Sequence, residues 1–74
     1  MKPIILAVED DGELGIFTFD RLQQALHHMR LELTGYFDDD TYIPIFNSID
    51  DVWDVINEHG VPLNFRVLDL RGVD

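Results

Sequence analysis

Two apolar stripes dominate the sequence. Leu22, Ala25, Leu26 and Met29 follow the i, i+3, i+4, i+7 rhythm of one buried helical face, and Ile49, Val52, Trp53 and Ile56 repeat it 27 positions later. Each stripe must be covered by another apolar surface, because a helix buries only one side of itself. The rest of the chain offers short runs of strand type: Pro3 to Val8, Leu14 to Phe19, Tyr42 to Phe46 and Asn64 to Leu70. Helices that need a cover and strands that need a layer predict an α+β fold.

Turn and cap residues set the expected order. Asp10-Asp11-Gly12 signals a hairpin turn, since Gly accepts positive φ and Asp bonds its own backbone. Asp20, with Gln23 three residues later, predicts the start of the first helix. Residues 31–37 read as a third strand through Leu31, Leu33, Tyr36 and Phe37, with a helical extension as the alternative. Asp38-Asp39-Asp40 reads as a second turn, and Tyr42 to Phe46 as a strand that Pro44 confines to an edge or a bulge. Asn47 or Ser48 caps the second helix, Asp50 and Asp51 suit its positive end, and Gly60 with Pro62 stops it.

Sliding the chain by 27 positions lays Asp11 on Asp38, Ile16 on Ile43, Phe19 on Phe46 and Asp20 on Asn47. The resulting expectation is a single domain over residues 1–74, built of two strand–turn–strand–helix units, about 3–33 and 31–60, and a closing strand over 63–71. In element order this is ββα-ββα-β: a mostly antiparallel sheet of four or five strands with both helices on one face.

At 74 residues the chain holds one core, and a chain of this size buries only about 60% of its unfolded surface. No cysteine is present to staple it, so dimerisation or a partner is the remaining source of burial. The 46% hydrophobic content is that of a folded chain despite the charge. The amino-terminal apolar run is too short for a secretion signal or a membrane span, which predicts a soluble, unprocessed, cytoplasmic protein.

Fifteen acids against five Lys and Arg give a net charge of −10. Direct binding to nucleic acid or an anionic membrane is disfavoured, and a basic protein partner is favoured. Between Arg30 and Arg66 there is no Lys or Arg but eight acids, so the second half is almost purely anionic. The candidate partner-binding residues are therefore Asp38, Asp39, Asp40, Asp50, Asp51 and Asp54, with Tyr36 and Tyr42 as an aromatic rim. Such an array of carboxylates presents charge as a row of phosphates does. The plain alternative is solvated turns and helix-dipole complementation.

No cofactor, metal or catalytic site is expected. The acids lack the alternating twelve-residue spacing of a calcium loop, no phosphate-binding glycine loop is present, and Ser48, the one serine, is explained by capping. His27 and His28 point about 100° apart on a helix and do not chelate together.

In size and charge, though in no motif, the chain resembles small phage or mobile-element inhibitors, including anti-CRISPR proteins and other nucleic-acid mimics. The function expected is a small acidic interaction module, not an enzyme, that binds and modulates or inhibits a larger basic, nucleic-acid-binding protein. The alternative is a structural or assembly module that homodimerises, for instance through an exposed strand edge, with the acids serving solubility.

Overall fold

The computed structural model describes residues 2–38 and 42–71. Strand β1 (Ile4–Asp10) runs into a two-residue turn and returns as β2 (Glu13–Phe19). Both turn residues have positive φ, 51° at Asp11 and 84° at Gly12. That conformation matches the right-handed twist of the paired strands, and Asp and Gly are the residues that tolerate it. Helix α1 (Leu22–Thr34) follows, then the connection to helix α2 (Ile49–His59), then strand β3 (Leu63–Asp69). β1 lies in the centre of the three-stranded antiparallel sheet, ordered β2-β1-β3.

β1 alternates. Ile4, Leu6 and Val8 are buried, whereas Ile5 and Ala7 between them are half-buried. The buried set joins Phe65 and Leu63 of β3 under the helices, with Ala25, Leu26, Met29 and Leu33 of α1 and Val52 and Ile56 of α2. Burying the larger of these aliphatic side chains contributes roughly 1.5–3 kcal/mol each. The opposite face of the sheet carries no helix. By register it comprises Ile5, Ala7 and Glu9, flanked by Leu14, Ile16 and Thr18 on β2 and Asn64, Arg66 and Leu68 on β3.

The α+β class, the antiparallel sheet and the two helices agree with the expectation from sequence. The strand count does not: the described residues form three strands, not four or five. Residues 31–34 continue α1, because Leu33 stands four residues beyond Met29 and extends its buried stripe. The Thr34 hydroxyl donates back to the Leu31 carbonyl at 2.6 Å, and Tyr36 N–H bonds the Leu33 carbonyl, so the helix ends in a turn. Residues 42–46 are irregular. Ile43 and Phe46 drop into the core and the intervening residues stay exposed. The Ile43 carbonyl is held by the Arg30 guanidinium, whose Nε and Nη2 donate at 3.0 and 2.9 Å, and not by a sheet ladder. The expected second hairpin is therefore absent from the described residues, while its helix is present.

The start of α1 also differs in detail, whereas that of α2 agrees with the expectation. α1 begins one residue later than Asp20 suggests: Arg21 holds the cap position, and the Gln24 side-chain oxygen accepts from Asp20 N–H and Arg21 N–H at 3.1 Å each. α2 starts after Ser48, and Asp51 Oδ2 accepts from Asn47 N–H and Ser48 N–H at 2.8 and 3.2 Å. Gly60 ends α2 with φ 65°, and Val61 N–H reaches back to the Ile56 carbonyl, a left-handed helix stop. None of the described helices is long and apolar enough to cross a membrane.

Candidate functional site: an acidic groove along the second helix

At 100° per residue, Asp50, Asp54, Glu58 and Asp51 fall within an arc of about 100° on α2, opposite Val52 and Ile56. The polar side of this helix is thus a carboxylate stripe. A shallow groove of about 370 Å³ runs beside it, with Asp51, Asp54, Val55 and Glu58 on one wall and Pro44, Ile45 and Asn47 on the other. Ile45 is 71% exposed and Tyr42, just upstream, 78%. The irregular segment thereby presents apolar surface next to the acids. Proline has no N–H to donate, and Pro44 keeps this wall out of the sheet.

The stripe has no neutralising cation on its own segment. Arg30 turns inward to the Ile43 carbonyl, Arg66 stands on the open face of the sheet, and Arg71 is paired with Asp69, with Nη2 2.7 Å from Oδ2. The Arg71 hydrogen bonds hold the Asp69 carboxyl below the ordinary aspartate range.

The candidate residues divide into groups. Asp50 and Asp54 share a face of α2, as their i, i+4 spacing implies, and Asp51 stands to one side, partly engaged in holding the helix start. Tyr42 and Asp38 are exposed. Asp39 and Asp40 lie outside the described residues. Tyr36 points elsewhere: its hydroxyl donates to Asp10 at the hairpin turn, and this bond, with nearby Asp11 and Glu32, pushes its pKa up to about 12. Tyr36 therefore belongs to a second acidic region around the β1–β2 turn, where Asp10, Glu13 and Glu32 share a surface depression.

Sequence reading missed Glu58, although it follows Asp54 at i+4, and missed Ile45 as the exposed apolar wall. The signal for the latter was present: Pro44 beside an isoleucine in an otherwise acidic stretch. Among the described residues no three His, Asp or Glu side chains converge as a metal site. Another concavity, of about 550 Å³, lies between α1 and the edge of β2, where Thr18, Phe19, Gln24, His27, His28 and Leu31 contribute. The His28 ring there packs on Phe17 at 4.2 Å between centroids. Compared with known proteins, the chain matches no family profile, no curated protein and no solved structure.

Proposed function

We propose that the protein is a small acidic interaction module that binds a larger basic protein through the groove beside α2 and modulates or inhibits it. The observation that carries this reading is the pairing of a one-sided carboxylate stripe with exposed Tyr42 and Ile45, on a segment without a free cation. Asp50, Asp51, Asp54 and Glu58 span eight residue steps, about 12 Å at 1.5 Å per residue, or one charge per roughly 4 Å. A nucleic-acid strand carries one phosphate per ~3.4 Å. The charge density suits a surface rich in Arg and Lys that ordinarily meets nucleic acid. The apolar wall adds contact area that phosphate does not supply.

A fluorescently labelled, arginine-rich amphipathic peptide is a suitable probe. Its affinity should fall steeply between 50 and 200 mM salt, in the way phosphate-directed contacts do. Asp54→Asn combined with Glu58→Gln should weaken it roughly 2- to 30-fold, with Asp51 left in place because it holds the helix start. Salt-independent binding, or equal binding by the double variant, would sink this function.

A further inference from the structure

β2 is an edge strand, and its outer edge is undefended. The two-residue turn makes Asp10 and Glu13 the closing hydrogen-bonded pair of the hairpin. Antiparallel pairing then alternates, so Val8–Gly15, Leu6–Phe17 and Ile4–Phe19 exchange bonds inside the hairpin. Leu14, Ile16 and Thr18 are left with N–H and C=O groups directed outward. Natural edges of this length are protected by charge, proline or a bulge. From Leu14 to Phe19 β2 has neither charge nor proline, and its register with β1 is unbroken over seven pairs. Leu14 is 65% and Ile16 58% exposed. The other edge, β3, carries Arg66 at its centre, so pairing it with a second β3 about its midpoint would set two guanidinium groups opposite each other.

We infer that two copies of the chain pair through β2, antiparallel and two-fold about Ile16, to join their three-stranded sheets into one. Ile16 is the midpoint of Glu13–Phe19, and the outward-directed groups at 14, 16 and 18 are symmetric about it. Leu14 then faces Thr18 of the second copy, Ile16 faces Ile16, and Gly15 faces Phe17. Charge supports the same arrangement. The turn end of the strand carries Asp11 and Glu13, and the other end carries Lys2 and Arg21 beside Asp20. Antiparallel pairing sets the acidic end of each copy against the end of the other that holds the cations. Exposed Leu31 of α1 flanks the same edge and gains cover from the second copy. This inference stands apart from the acidic groove, which lies on α2.

Sedimentation across a micromolar-to-millimolar series tests it. Wild type should move from one 8.6 kDa chain to twice that mass. Ile16→Lys should remain monomeric, because lysine at the pairing centre opposes its own copy. Leu68→Lys, on the open face but on β3, should dimerise as wild type does. Amide exchange gives a readout without any variant: Leu14, Ile16 and Thr18 should exchange about tenfold more slowly where nine chains in ten are dimeric, while Phe65 and Val67, whose N–H groups point outward from the other edge, show no such concentration dependence. A wild type that stays at one chain mass overturns the proposal. So does a dimer that Leu68→Lys abolishes, which would place the contact on the open face that Leu68 and Ile16 share, or a dimer without protection at those three amides.

Discussion

The stretches Leu14–Phe19 and Tyr42–Phe46 resemble each other: each follows an acidic cluster, each is apolar and each ends in Phe. One is a paired strand and the other an irregular wall. Two differences in sequence accompany this. Gly12 allows the first acidic cluster to close a two-residue turn at φ 84°, and the second has Asp39 at the equivalent position, 27 residues on. Pro44 removes a backbone donor from the second stretch, and β2 has no proline. The second stretch is instead fixed by its anchors, Ile43 and Phe46 in the core and Arg30 on a carbonyl. An acidic turn and an apolar run thus do not specify a strand; an unbroken set of donors and a turn of the right hand do.

That contrast can be broken most strongly at Phe46, which is 2% exposed. Phe46→Ala should cost about 3–5 kcal/mol, as a core aromatic does, measured as a fall in the urea midpoint. An effect below about 1 kcal/mol would mean the irregular segment is not anchored as described. Gly12→Val comes next, expected to cost about 1–2 kcal/mol for left-handed backbone at a residue with a side chain. Gly12→Asn should be far milder, because Asn accepts that conformation, and equal losses for the two would remove the turn from the account.

The smallest effect concerns Tyr36, which ties the start of the second region to the turn of the first. Its phenol is stabilised in the protonated form, so its folded pKa lies above the ordinary 10. The stabilisation is complete below pH 10 and is lost as pH rises through about 12. The absorbance step near pH 12 should vanish in Tyr36→Phe, and the alkaline decline in stability over that window should shrink.

Much of this architecture is legible in the residues. The hairpin turn, the two buried stripes, the Ser48 and Gly60 ends of α2 and the closing strand follow from local chemistry alone. The region 31–46 does not, because its patterns satisfy two periods at once. Leu31 and Leu33 alternate as in a strand, yet Met29 and Leu33 stand at i+4, and packing on the sheet decides for the helix. For the acidic groove, helical spacing places Asp50 and Asp54 on one face, with Asp51 to one side. The side-chain capping role of Asp51, the wall made by Ile45 and the inward turn of Arg30 depend on tertiary contacts, which spacing does not encode.

The central position of β1 has a consequence for the order in which the chain can fold. Its partners on one side lie a hairpin away, but on the other side Ile4 meets Asp69, 65 residues later (69 − 4). At ~5–20 residues per second of synthesis, that interval is roughly 3–13 s. Over its last 35 residues, from Thr34 to Asp69 and roughly 2–7 s at that rate, the hairpin and α1 are already made while the inner strand still shows a bare edge. A nascent chain in that condition offers β1 as well as β2 to any neighbouring strand, so the growing polypeptide is more exposed to misassembly than the finished one.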